Sequence, residues 1–388
     1  MKVRNNKLLF IITDYGAFNI FLSELCSYLL SQEYYDIYLI CSNKKVINTI
    51  DKFNFSSQIN IHFVEIPRTL NLLQLVFSAW AIRKKIIEIS PDLIHSHFTT
   101  GIFTSVLFLP RNVKIWGTFH GLGFVQTWGF KKLLFFILEF FCFVKLNKII
   151  VINKIDFESV PFLFKHKLIL SESLGLGCDL NKFSKENIVD LDIRNVHEIK
   201  EHFVLAYTGR FVHFKGFHLL IRTFFILEEK FGNKFKLLLM GGEDSSHTTG
   251  LSKIEYDNYS NNKNIINLGF VSDVQNYLSV ADLFVFLSKK EGVPISITEA
   301  LAMQVPVLAL DSRGSNDLIV NGQNGFLISE KLSDTEIIQS CFSIISSVFL
   351  DKRLLDPLRL NISKDRDKLS RNNFIVENSN LYNNELVK

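Results

Sequence analysis

The sequence predicts an α/β protein made of two doubly wound domains, each built on a mostly parallel sheet. Three observations predict it. Short apolar runs alternate with helical patterns from the first residues onward. That rhythm lapses over a polar stretch, 179–202, and then restarts. A chain of 388 residues is too long for one compact core, while a 47% hydrophobic content supplies two.

The elements follow in order. Residues 8–13 (LLFIIT) read as a buried strand, 18–30 as a helix, and 37–41 (IYLIC) as the second strand. A third strand is expected at 61–66. Residues 72–89 carry apolar side chains at helical spacing, and Pro91 closes that helix. Strands are expected again at 93–97 (LIHSH), 113–119 and 148–152. After the polar stretch come 203–208 (FVLAYT), 236–240, 265–268, 283–287 and 307–310, and residues 372–386 read as a terminal helix. Such βαβ order implies open parallel sheets, which bind ligands at the carboxyl ends of their strands. Two such domains facing each other would place an active site in the cleft between them.

Composition narrows the class. The net charge is +4, from 43 basic and 39 acidic residues, too small an excess to argue for nucleic acid. It suits contact with an anionic membrane surface, as it suits many cytosolic proteins. The five cysteines are scattered with no CxxC pair, which argues against a disulfide framework or zinc site and for a reducing compartment. The opening MKVRNNKLLFIITDYG has neither the length nor the cleavage site of a signal peptide. The most apolar later run, 133–144, contains Glu139 and is too short to span a bilayer. A cytoplasmic location is expected. The Phe-rich stretch 130–148, basic at both ends, reads either as a membrane-surface helix or as a sheet-packing helix; the second is favoured, with a few aromatics left to graze lipid.

The residues suited to chemistry lie at expected strand ends. In EGVPISITEALAMQVPVLAL (291–310), Glu291 and Gly292 form a loop and Pro294 is suited to open a helix. The amides of Val293, Ile295 and Ser296 would face an anion. Glu299 follows Pro294 by five residues, about 7 Å at about 1.5 Å per residue. A diphosphate at the helix start would put a sugar near Glu291 and a ribose near Glu299. Spacing alone leaves this reading even with a plainer one, in which Glu291 caps the loop and Glu299 is an ordinary solvated helix residue. In TGRFVHFKGF (208–217), Arg210 and Lys215 bracket a turn, with Gly209 and Gly216 permitting close approach. Two fixed cations can offset charge developing on a leaving diphosphate, although an Arg and a Lys in a loop are usually just solvated. His95 and His97 lie on PDLIHSHFTTG, and His120 precedes Gly121 in HGLGF.

EGVPISITEALAMQVPVLA resembles the E-x7-E segment of glycosyltransferase family 4, retaining enzymes of the GT-B fold. The stretch from Asp311 through NGQNGFLI is similar to that family, and GR-x4-KG resembles its diphosphate-binding Arg and Lys. SLGLGCDLNKF resembles its G-x-G-x-D-x-x-x-F signature, with Gly175, Gly177, Asp179 and Phe183 in structural roles.

The resemblance covers nearly the whole chain. It implies two Rossmann-like domains: an acceptor-side domain over 1–178, a nucleotide-sugar-binding domain over 179–370, and a helix over 371–388 crossing back to the first. It gives catalytic roles to Glu291, His120, Arg210 and Lys215. Donor contacts fall to Glu299, Gly209, Gly292, Val293, Pro294 and Ile295, and acceptor or cleft positions to Gly16, His97 and Gly121. The first-strand loop, DYGAFNIFL, departs from the family's glycine-rich turn by offering only Gly16, which points to the acceptor rather than the donor.

With no DxD pair placed to hold a diphosphate, a metal-independent reaction without a cofactor is expected, Arg210 and Lys215 standing in for a metal. With no evident carboxylate nucleophile, a front-face mechanism is expected. HGLGF and RGSNDLI resemble bacterial members that build O-antigen or capsule. The implied donor is a UDP-linked hexose or N-acetylhexosamine, and the implied acceptor an undecaprenyl-diphosphate-linked saccharide at the inner face of the cytoplasmic membrane. A UDP-sugar epimerase of the same fold and a non-catalytic sugar-nucleotide binder are the competing readings.

Overall fold

A computed structural model describes residues 5–43, 58–188, 193–244 and 248–387. Residues 1–4 of the opening segment and 189–192 of the polar stretch lie outside the described residues. Contacts divide the chain into two compact units. One comprises Met1–Ser173 with Asn373–Lys388, the other Leu174–Asn372.

The first unit holds seven strands: β1 (Asn6–Asp14), β2 (Tyr35–Ser42), β3 (Asn60–Phe63), β4 (Leu93–His97), β5 (Ile115–Phe119), β6 (Lys148–Val151) and β7 (Leu168–Leu170). They pair in parallel in the order β3-β2-β1-β4-β5-β6-β7. β1 is buried from Leu8 onward, as the central strand of a sheet covered on both faces must be. The order reverses between β1 and β4, so their carboxyl ends diverge and leave a crevice.

The second unit repeats the plan with β8 (Phe203–Phe211), β9 (Phe235–Glu243), β10 (Ile265–Gly269), β11 (Leu283–Phe286), β12 (Val307–Asp311) and β13 (Gly325–Ser329). All pair in parallel in the order β10-β9-β8-β11-β12-β13, with the reversal between β8 and β11. Phe, Leu and Ile fill its core, Phe211 stacking on Phe217 at 4.6 Å.

Several expectations need correction. The helix expected over 18–30 is two helices, Tyr15–Phe21 and Ser23–Ser31, with Leu22 outside helical geometry at φ −126°. Asp14 caps the first of them, accepting from Ala17 N at 3.0 Å. The third strand stops at Phe63 rather than 66. Strands β7 and β13 were not expected. The first compact unit ends at Ser173 rather than 178, because the following segment is bonded into the second unit. There Cys178 N donates to Leu369 O and Arg371 N donates to Cys178 O, each at 2.9 Å.

The last helix, Arg371–Leu386, lies from residue 373 onward in the first unit. Its Glu377 accepts from Ser171 Oγ and from the amides of Glu172 and Ser173 at 2.7–2.9 Å. Tyr382 stacks on Trp116 at 5.6 Å, and Glu385 pairs with Lys114 and Lys148. Among the described residues, no helix is long and apolar enough to cross a membrane.

Candidate active site

In the second unit, the predicted residues gather at the reversal point. β8 ends with Gly209, Arg210 and Phe211, and a single 3-10 turn, His213–Lys215, follows. Gly216 closes that turn at φ 72°, a left-handed conformation. A Cβ there would stand 2.1 Å from Leu287 O, so only glycine lets the turn lie against the end of β11. That approach brings the Lys215 ammonium onto the Glu291 carboxylate, a half-buried ion pair. Ser288 Oγ donates to the same carboxylate oxygen at 2.7 Å.

Arg313, which is buried, donates from Nε to the Glu291 carbonyl at 2.6 Å, and Ser312 Oγ donates to Ser288 O at 2.8 Å. The loop after β11 is thus fixed from two sides. Arg210 pairs with Asp244 at 2.9 Å. The Arg210 guanidinium and Lys215 ammonium each lie 5.4 Å from the Phe214 ring centre, which assembles two cations around one aromatic.

Helix Ile295–Ala302 follows. Pro294 is its N-cap residue, at φ −77° and ψ 115°, and not its first helical residue as expected. The Pro294 carbonyl receives the first helical bonds, from Ile297 and Thr298, so the amides of Ile295 and Ser296 stand ahead of them. Glu299 is half-buried on this helix. Burial pushes its carboxyl up to about 7, opposed by the charges of Lys182 and Arg371. That carboxyl has no hydrogen bond or ion pair among the described residues. Gly175 packs so closely on Val293 that a Cβ would sit 2.8 Å from the valine's own, which places the G-x-G segment behind this loop. Asp179 caps its own turn, accepting from Asn181 N and Lys182 N at 2.9 and 3.2 Å.

In the first unit, the crevice at the end of β1 is a cavity of about 700 Å³. Gly16 lines it, together with Ile20, Phe21, Phe98, Phe135 and Arg68. Arg68 pairs with the buried Asp14 at the strand end. Next to the cavity, His97 Nδ1 and His120 Nε2 are 3.1 Å apart, with stacked rings. His95 lies between Tyr382 Oη (2.5 Å) and Thr118 Oγ1 (2.7 Å). Burial pushes His95 and His120 down to about 3, and His97 well below its ordinary value. All three imidazoles are therefore neutral near pH 7. Gly121 follows His120 at φ 140°.

Structure adds residues that the sequence reading passed over. Glu139, fully buried on helix Gly129–Lys145, accepts from Thr99 Oγ1 (2.6 Å), Gly123 N (2.8 Å) and Phe124 N (3.2 Å), and so holds the HGLGF loop. Burial pushes its carboxyl up to about 7. A lone Glu inside an apolar helical run was the available signal. Ser288 left none, and Arg313 stands in the resembling RGSNDLI stretch without a role assigned to it; their partners are main-chain or carboxylate atoms brought near only by the fold.

Residues 190–353 match the family described as glycosyl transferases group 1, and residues 7–153 match glycosyl transferase 4-like. A capsular polysaccharide biosynthesis glycosyltransferase, CapM of Staphylococcus aureus, is 29% identical over 57% of this chain and 58% of its own length. The UDP-Gal:alpha-D-GlcNAc-diphosphoundecaprenol alpha-1,3-galactosyltransferase of Escherichia coli is 26% identical over 77% of this chain and 78% of its own. The structure of Anabaena HepE in complex with UDP and glucose superimposes with a TM-score of 0.73 at 16% identity, over 98% of this chain and 100% of that one. Two parallel, doubly wound Rossmann-like units of this kind define the GT-B class of fold. The chain belongs to the glycosyltransferases, with a family 4-like first module and a group 1 second module.

Proposed function

We propose that this protein moves a hexose or N-acetylhexosamine from a UDP-linked sugar, with retention, to a hydroxyl of an undecaprenyl-diphosphate-linked saccharide during assembly of O-antigen or capsule. The observation that carries the proposal is the Lys215–Glu291 pair, held by Ser288 and underlain by Arg313, at the reversal point of the second sheet. Lys215 and Arg210 receive the diphosphate, and their charge offsets the charge that grows on it as the glycosidic bond breaks. The loop Gly292–Ile295 supplies amides to the same group. Glu291 accepts from the sugar's hydroxyls and Glu299 from the ribose diol. The family resemblance supports a part for His120 in the reaction as well.

The leaving diphosphate itself takes the acceptor hydroxyl's proton on the face it departs from, which preserves the anomeric configuration. Two cations at one aromatic ring support a reaction that needs no metal. The donor and acceptor classes are supported by the UDP complexes of HepE and by the Escherichia coli galactosyltransferase. Peripheral membrane contact is supported by Phe130, Leu133 and Ile137, exposed beside Lys131 and Lys132 on helix Gly129–Lys145.

A panel of nucleotide sugars scored by UDP release, with and without chelator, tests the proposal. Release from one UDP-sugar, undiminished by chelator, is expected, with product NMR giving the donor's anomeric configuration. A trapped glycosyl-enzyme adduct would refute the front-face step. Conversion of UDP-GlcNAc alone into a different UDP-sugar would replace the transferase reading with an epimerase.

A further inference from the structure

β4 ends at His97 and the next helix, Thr99–Leu107, begins two residues later. Phe98 alone makes the turn between them. Its amide donates to Thr118 O at 3.1 Å, extending the pairing of β4 with β5, and its carbonyl accepts the first helical bond from Ile102 N at 2.9 Å. Satisfying both bonds in one residue puts Phe98 at φ 64° and ψ 149°. That conformation is essentially confined to glycine, and a bulky residue holds it only where the surroundings over-determine it.

What the ring touches explains what is held. It lies 4.4 Å from the His120 ring and 5.3 Å, edge on, from Phe21, whose own ring is 4.6 Å from His120. Phe21 and Phe98 both line the cavity, whereas His120 does not. The two aromatics therefore stand as a wall between cavity and imidazole. On another side, His97 Nδ1 is bonded to His120 Nε2, and His120 Nδ1 is buried with no partner among the described residues. The imidazole is fixed by a hydrogen bond on one side and by ring packing on the other. Its other nitrogen is closed off from solvent.

We infer that Phe98 is a positioning residue, whose strained turn fixes the His120 ring against His97 and walls it off from the cavity. This rests on the transferase reading, in which His120 takes part in the reaction.

The test uses Phe98→Gly, Phe98→Ala and Phe98→Tyr in the full chain. Phe98→Gly relieves the backbone and is expected to melt above Phe98→Ala. Both should lower turnover at saturating donor about tenfold or more with UDP affinity unchanged, while Phe98→Tyr keeps wild-type turnover. In histidine-labelled protein, the His120 titration should move up toward the ordinary imidazole range in Phe98→Gly and stay put in Phe98→Tyr. A purely structural role would lower melting temperatures without moving the turnover of folded protein or the titration. That result in Phe98→Gly, or, if that variant does not fold, in Phe98→Ala, overturns the inference. If the wild type transfers no sugar at all, the transferase reading fails, and the titration and melting order still decide the role of Phe98.

Discussion

Replacing Glu139 by glutamine should change the stability of the first unit by an amount that depends on pH. In the folded protein burial holds this carboxyl up to about 7, against an ordinary value of 4.5. Below the lower figure both folded and unfolded chains carry the proton, and the group contributes no pH-dependent penalty. As pH rises the unfolded chain releases its proton first, so the folded state binds more protons and stability falls until the folded carboxyl has also ionised. A shift of about 2.5 units at about 1.4 kcal/mol per unit gives a loss of about 3 kcal/mol, complete a little above pH 7.

The side-chain amide of the Glu139→Gln variant cannot ionise and escapes that loss. It keeps one carbonyl oxygen for Thr99 and Gly123 but turns its NH2 group toward the Phe124 N–H, leaving that donor unpaired at roughly 1–3 kcal/mol at any pH. The wild type should therefore be the more stable protein at pH 5, and the difference should close or reverse by pH 8. All three tryptophans, Trp80, Trp116 and Trp128, lie in the first unit, so intrinsic fluorescence during urea unfolding follows that unit alone. A difference that stays constant from pH 5 to pH 8 would refute the reasoning.

In the proposed reaction, Glu291→Gln should lower turnover about 10²-fold with UDP affinity nearly unchanged, because it removes a contact to the transferred sugar. Glu299→Ala should instead weaken UDP binding about tenfold or more, the loss of a charged hydrogen bond, with turnover at saturating donor preserved; calorimetry and a UDP-release assay separate the two. Since burial holds the Glu299 carboxyl up to about 7, lowering the pH from 8 to 6 protonates it and should weaken UDP binding in the wild type. The same titration should be flat in Glu299→Gln. Gly216→Ala, which sets a Cβ 2.1 Å from Leu287 O at a left-handed φ, should destabilise the second unit by roughly 1–3 kcal/mol and displace Lys215; wild-type melting and turnover in that variant would count against the close turn.

Much of this architecture is legible in local pattern. Apolar runs such as LLFIIT and LIHSH mark strands buried on both faces, and helix Leu72–Ile89 is bounded as its periodicity predicts. The two missed strands are short or disguised. β7 is three residues of Leu and Ile directly after a 3-10 turn, and β13 opens on a glycine that a Cβ would drive to within 2.2 Å of Val307 O. Leu22 interrupts a continuous apolar periodicity, so the break between the first two helices left no trace in it.

The candidate donor residues sit in two contiguous motifs, which is why spacing and resemblance reach them. Asp14 with Arg68, Glu139 with the HGLGF loop, and Tyr382 with His95 join residues separated by tens to hundreds of positions. No periodicity encodes such pairs. Phe98 is hidden for another reason: its importance lies in a backbone angle, and Phe is not a residue from which a left-handed turn is read.

The return of the last helix to the first unit bears on the order in which the chain can be finished as it is made. Every residue of Leu174–Asn372 is made before the residues that complete the first unit. Until then, Ser171, Glu172 and Ser173 lack the carboxylate that collects their donors, Lys114 and Lys148 lack Glu385, and His95 lacks the Tyr382 hydroxyl. Although its strands are made first, the N-terminal unit is the last to close. A chain cut after residue 372 would hold every residue of the second unit and leave the first unfinished, with the histidine cluster of its sheet open on the Tyr382 side.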